Sequence, residues 1–266
     1  MRIKVLAFAA SLLLISNSSA GIPQSSTTPT SSPQAATLLA QSAKALTGAT
    51  AVNDATLAGT AEWIAGSDDE AGTVSYKGVS GPYRLDMTLR NGTRSEIVSP
   101  VSGAPAGHWI GLDGISHPMA DHNLMVDAGW FPAFTLGNLL SSATTILSYL
   151  GQETRNNSQV IHIIASQQFP QLSGDPAALM QHLSQVDIYL DPSTLLPVCY
   201  VYNSHPDNDA RLDIPTEIRY SNYQKIGGAQ VPLRVQKSMN GSTVLDLQFQ
   251  SAALNTGISV AQINAQ

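Results

Sequence analysis

Tyr83-Arg84-Leu85-Asp86-Met87-Thr88-Leu89-Arg90-Asn91-Gly92 decides the fold class. Tyr83, Leu85, Met87 and Leu89 fall on one side of an extended chain, and Arg84, Asp86, Thr88 and Arg90 fall on the other. A strand split this cleanly has one packed face and one wet face, the signature of an antiparallel sheet. Asn91-Gly92 follows at once and suits a type I′ hairpin turn, because both central residues of that turn need positive φ. Asp113-Gly114, between His108–Leu112 and Ile115–Met119, carries the same signal, and Asn240-Gly241 repeats it near the end of the chain.

Outward from that stretch the pattern recurs. In Thr56–Ile64, Leu57, Ala61 and Trp63 share a face opposite Thr60 and Glu62. Asp68-Asp69-Glu70 reads as a solvated turn between strands. Val160–Ala165 is an apolar β run, and the last third is a meander. There Val186, Ile188 and Leu190 alternate, Asp191-Pro192-Ser193-Thr194 turns, and Val198–Tyr202 returns. Glu217–Tyr223 and Val231–Met239 join through Gly227-Gly228. Ser204–Asp213 is a polar loop. Helical spacing appears three times: Leu38, Leu39, Ser42, Ala45 and Leu46 before a C-capping Gly48, Trp130–Leu150, and a short helix opened by Asp175 as N-cap with Pro176 at its first position. About ten strands in consecutive hairpins, one helix before them and two inserted midway predict an α+β fold. Its sheet is one large curved antiparallel sheet with helices over the concave face. No βαβ alternation occurs.

The N-terminus reads as a cleavable export signal over residues 1–20. Arg2 and Lys4 precede the apolar run Val5–Ile15, and Ser18 and Ala20 place small residues before the cut. A membrane-spanning helix needs roughly 20 apolar residues, so this run is too short for an anchor. No cysteine is near for lipid attachment, and no later segment is apolar enough to span. Residues 21–33, rich in Ser, Thr and Pro, cannot bury a core and read as a disordered linker, so residues 34–266 form a single domain. Cleavage removes two of the 13 Lys and Arg residues, leaving 11 against 19 Asp and Glu, a net charge of −8. An acidic, sparsely charged body has no electrostatic footprint for nucleic acid or for anionic membrane surfaces. Its address is periplasmic or extracellular. Cys199 is the single cysteine and lies in a β-rich run, where it reads as an inert buried thiol.

Chemistry-bearing constellations are sparse. His117, Asp121 and His122, with His108 nearby, lack the spacing of metal ligands on a helix or strand, and read as a polar loop. Asp207, Asn208, Asp209 and Asp213 gather oxygen atoms but lack an EF-hand's glycine and terminal glutamate. No nucleophile elbow, Ser-x-x-Lys motif or phosphate-cradling loop occurs. The expectation is a non-enzymatic chain with no catalytic residue, no metal and no cofactor. Trp63, Leu85, Met87, Phe131, Phe134, Leu139 and Leu140, on packed faces, are the candidate lining of an apolar cavity between sheet and helices.

The C-terminal stretch carries a resemblance. Val186-Asp-Ile-Tyr-Leu-Asp-Pro-Ser-Thr-Leu-Leu-Pro197, Tyr220-Ser-Asn-Tyr-Gln-Lys-Ile-Gly-Gly228 with Val231-Pro232, Asn240-Gly241 and Leu254-Asn255-Thr-Gly257 together resemble the ending of periplasmic outer-membrane lipoprotein carrier-like proteins. The likeness is to a bacterial branch of that LolA/LolB-like superfamily and spans roughly residues 35 to 260 in element order. It implies that the sheet is a strongly curved unclosed half-barrel with helices as a lid over an apolar cavity. The implied ligand is a lipid, a lipoprotein acyl chain or another apolar molecule. Relatives that act as sensors imply an alternative, a protein-interaction module without a small ligand. Neither the first helix nor Phe131–Leu150 contains an arginine to match the carriers' lid arginine, so the resemblance transfers no functional residue.

Overall fold

The structure, a computed structural model, describes residues 30–100, 104 and 106–265. The export signal over residues 1–20 and the linker as far as residue 29 lie outside the described residues. The elements, in chain order, are α1 (Pro33–Thr47), β1 (Asp54–Ala65), β2 (Asp68–Val79), β3 (Tyr83–Leu89), β4 (Gly92–Val98), β5 (Gly107–Ile110) and β6 (Ser116–Pro118). A short 3-10 turn (Asp121–Leu124) and α2 (Pro132–Ser141) follow, then β7 (Thr145–Arg155), β8 (Ser158–Gln167), α3 (Gly174–Leu183) and β9 (Val186–Leu190). The chain finishes with β10 (Pro197–Ser204), β11 (Ile214–Ile226), β12 (Ala229–Met239), β13 (Ser242–Leu254) and α4 (Val260–Asn264).

The thirteen strands of the described residues form one antiparallel sheet in the order β6-β5-β4-β3-β2-β1-β13-β12-β11-β10-β9-β8-β7. The first and last strands meet at its centre. From β1 the chain walks outward hairpin by hairpin to the edge strand β6. It then crosses to the opposite edge, β7, and walks back to β13. Residues 119–144 are thus the one long crossover of the sheet, and they bridge the gap that keeps the half-barrel open.

The concave face is the core. Leu57, Val74, Tyr76, Leu85, Met87, Ile218, Val235 and Leu247 from six strands pack with Ala35, Leu39 and Leu46 of α1 and with Phe131, Phe134 and Leu136 around α2. The alternation read over Tyr83–Leu89 is present, with Tyr83, Leu85, Met87 and Leu89 buried. α1 begins where Ser32 accepts the Ala35 N–H (3.3 Å), and Gly48 ends it. Ser31 and Ser32 sit on the edge of β7, where Ser32 N–H donates to the Leu147 carbonyl (2.7 Å) and Leu147 N–H to the Ser31 hydroxyl (3.1 Å). Gly59 of β1, opposite a bulge in β13, is required by a close approach. A Cβ there would lie 2.1 Å from the Gln248 carbonyl oxygen of β13.

Several sequence expectations are corrected. The helix expected over Trp130–Leu150 stops at Ser141, and Thr145–Arg155 is the edge strand β7, paired with β8 along its length. A bulge between Tyr149 and Gly151 breaks the period of two, and the resulting spacing of Ile146, Leu147 and Leu150 imitates a helical one. The first hairpin turns on Arg90-Asn91, with Leu89 paired to Gly92, and neither turn residue has positive φ. The buried carboxylate of Glu70 takes the Asn91 N–H (3.0 Å) and the Arg94 guanidinium (2.8 Å), and so sets that turn. Glu70 itself is 3% exposed and lies within β2, not in a solvated turn. The Asp113-Gly114 hairpin is a five-residue loop, since Ile110 pairs with Ser116. Ser173, not Asp175, caps α3, which places Pro176 third in that helix. α4 was not anticipated. Its sequence signal is the capping box of Ser259 and Gln262, and Ile263 is its buried anchor.

Candidate functional site

The crossover is fastened at two places. At its start the 3-10 turn is bracketed to the loop after β10: Asn123 donates to the His205 carbonyl (2.8 Å), and His205 N–H donates to the Asn123 amide oxygen (2.9 Å). His122 Nε2 lies 3.1 Å from the Pro206 carbonyl. Further on, the tyrosines of the sheet floor hold the entry to α2, where the Tyr220 hydroxyl donates to the Gly129 carbonyl and the Tyr200 hydroxyl to that of Pro132. Phe131 stacks on Tyr76 (6.3 Å between ring centroids) and leans on Phe134 (4.8 Å). Residues 124–128 span between these fastenings as a strap.

Beneath the strap lies a cavity of about 800 Å³. Its walls are the inner faces of β3 and β4 on one side and the region from the end of β8 to β10 on the other. Leu124, Met125, Val126 and Ala128 of the strap, Leu139 of α2, Val98, Met119, Phe169, Val186 and Met239 give it a mostly apolar lining. That volume is in the range of ligand pockets that bury a small apolar molecule.

A polar cluster occupies one wall. Glu96 of β4 accepts the Tyr83 hydroxyl and the Trp130 indole N–H (2.9 Å) through one carboxylate oxygen. The Lys237 ammonium lies 5.6 Å from the Trp130 ring centroid, a cation–π arrangement. Asp127, at the end of the strap, accepts the Gly129 N–H (2.7 Å) and the Thr135 hydroxyl (3.1 Å). Burial holds its carboxyl above the ordinary aspartate range, against those hydrogen bonds and with the nearby Glu96 charge acting in the same sense as burial. Burial and the Glu96 charge likewise raise the Tyr83 phenol well above its usual value, so it stays a donor.

The residues singled out from sequence are dispersed. Leu85, Met87, Phe131 and Phe134 are buried in the main core, and Trp63 packs at its margin under the Arg94 guanidinium (4.6 Å). Leu139 lines the cavity, whereas Leu140 is 39% exposed on the outer side of α2. Trp109 is 42% exposed and stacks on His117 (4.1 Å), which in turn meets Asp113 at 2.7 Å. His122 points away from His117, toward His205 (5.9 Å between ring centroids). Asp207 and Asp209 do not converge with Asp213, which instead meets His182 at 2.9 Å. Cys199 is buried on the convex face, and burial pushes its thiol up to about 12, so it is unreactive. Sequence reasoning missed the strap, Glu96, Asp127 and Lys237. The strap's one signal was an apolar triplet, Leu124-Met125-Val126, in a segment with neither strand nor helix period.

No known family's sequence profile matches this chain, and no curated protein matches it. Solved structures do match. A domain described as an outer membrane lipoprotein-sorting protein from Vibrio parahaemolyticus superposes with a TM-score of 0.55 at 12% identity, covering 85% of this chain and 94% of that one. A DUF1329 family protein from Desulfovibrio piger gives 0.54 at 8% identity, with 86% and 95% covered. A LolA superfamily protein from Nitrosomonas europaea gives 0.51 at 11% identity, with 87% and 97% covered. At these identities the likeness is one of fold: the chain is a LolA-like half-barrel. Among the described residues no helix is long and apolar enough to cross a membrane.

Proposed function

From a LolA-like half-barrel whose crossover roofs a large apolar cavity, we propose that this chain binds a lipid, a lipoprotein acyl chain or another apolar molecule, and makes or breaks no bond. The export signal read in residues 1–20 puts that activity in the periplasm or outside the cell, on a single domain over residues 34–266. The cavity of about 800 Å³ under residues 124–128 is the observation that carries the reading. Burial of an alkyl chain there supplies about 25 cal/mol per Å² of apolar surface removed from water. The strap, which presents Leu124, Met125, Val126 and Ala128 to the cavity, is the natural gate. One solved structure of the same fold, described as a lipoprotein-sorting domain, supports the same class of ligand.

Native mass spectrometry of the gently purified protein, with uptake of a fluorescent fatty-acid probe, tests the proposal. The expected result is a bound apolar molecule of one per chain, displaced by the probe. Leu139→Glu places a charge in the apolar lining and should weaken probe uptake by tenfold or more, since an unpaired buried charge costs well over about 1.4 kcal/mol. A protein that carries no lipid and takes up no probe, yet captures a protein partner, would instead identify an interaction or sensor module.

A further inference from the structure

Behind the strap's first fastening three side chains from distant parts of the sequence converge: His182 in the last turn of α3, His205 just after β10, and Asp213 just before β11. Each offers one ligand atom, and these atoms lie within 4.8 Å of one another. His205 is 4% exposed. Its Nδ1 meets the Leu212 carbonyl (3.2 Å), which fixes the proton on that nitrogen, and lies 3.6 Å from Asp213 Oδ1, while the buried Nε2 has no hydrogen-bond partner. A buried ring nitrogen left with a bare lone pair is costly unless something fills it, and an imidazole oriented by a carbonyl on its other nitrogen is the arrangement of a metal ligand. His182 Nε2 and Asp213 Oδ1 lie 2.9 Å apart, a contact that a metal ion would replace.

We propose that His182, His205 and Asp213 form a binding site for one divalent transition metal ion of the zinc class, which ties the end of α3 to the loop of residues 204–213. Two imidazoles and one carboxylate are borderline ligands that select such ions over calcium and magnesium, which take oxygen ligands. Three protein ligands leave a fourth position open, and the half-exposed His182 and Asp213 face that side. His205 is already bracketed through its backbone to Asn123, so an ion here also stiffens the strap's anchor. None of the three proposed ligands lines the cavity, and the site stands whether or not a lipid binds there.

The test is titration of the full chain, free of any histidine tag, with zinc ion alone by calorimetry, and with cobalt(II) by visible absorption. The expected result is one zinc per chain, a cobalt spectrum of low coordination number, and no competition from millimolar-range calcium or magnesium. His182→Ala and Asp213→Asn, both at exposed positions that keep the fold, should each weaken zinc binding by at least about tenfold. His117→Ala, which breaks the separate His117–Asp113 contact, should leave it unchanged. Retained wild-type affinity in His182→Ala and Asp213→Asn, loss of binding in His117→Ala, or no stoichiometric binding by the parent chain would each overturn the assignment.

Discussion

Asp127 shows what a single side chain does at the boundary between stability and binding. Burial and the Glu96 charge raise its carboxyl, so the folded chain keeps that proton at a pH where the unfolded chain, with an aspartate near about 3.9, has lost it. The stabilisation is complete at low pH and is lost as the pH rises from that value through the raised one of the folded state. Asp127→Asn removes the titration. Its urea midpoint should stay level across that window relative to the parent, whose midpoint declines; a decline of equal slope in both would assign the effect to another group. Carboxylates tied to N–H groups act in the opposite sense. At Asp54, burial is outweighed by the N–H groups of Thr256 and Gly257 and the Thr256 hydroxyl, so its carboxyl lies low and its stabilisation is lost only as the pH falls through that low value. Neither behaviour was legible in sequence: Asp54 takes its partners from Thr256 and Gly257, and Asp127, though bonded to nearby Gly129 and Thr135, owes its raised carboxyl to burial that only the tertiary fold creates.

Among the elements, the hairpins divide by how local their determinants are. Asn240-Gly241 and Gly227-Gly228 form two-residue turns with positive φ at both positions, and the sequence alone identified them. Asn156-Asn157 does the same between β7 and β8 (φ 50° and 63°), but the bulge in β7 had disguised the strand before it as a helix. Asn157→Val should destabilise the protein by about 1–2 kcal/mol, since a β-branched residue resists the left-handed conformation that asparagine tolerates. Asn157→Gly should change stability by only a few tenths of about 1 kcal/mol. Denaturant midpoints decide, and a valine variant as stable as the parent would mean the turn had rearranged. Arg90-Asn91-Gly92 is the contrasting case. There the buried Glu70, 21 residues away, grips the turn from another strand and sets a geometry that local propensity does not.

For the whole molecule, topology makes the site. Two runs of hairpins, the first walking out from the centre of the sheet and the second walking back to it from the opposite edge, leave residues 119–144 to cross the open side, and the cavity is the space that this crossing roofs. A cavity held by a strap fastened at two points predicts affinity that grows with alkyl length, about fourfold per added methylene at about 0.8 kcal/mol each, until the cavity of about 800 Å³ is filled. A fatty-acid series measured by probe displacement should show that rise and then a plateau or fall. Affinity independent of chain length would place any binding on the surface instead. The alternation of Tyr83–Leu89, the paired-glycine and Asn-Gly turns and the first helix were determined by sequence alone, because period and turn chemistry are properties of adjacent residues. They sufficed for an α+β fold with one large antiparallel sheet, and the family resemblance added the half-barrel. Which apolar residues became core and which became lining was decided only by tertiary structure. Leu85 and Phe134 obey the same local pattern as Val98 and Leu139, and only the path of the crossover determines which of them a helix or the cavity meets. The convergence of His182, His205 and Asp213 has the same origin: they are far apart in sequence and become neighbours only when the end of α3 packs beside the loop between β10 and β11.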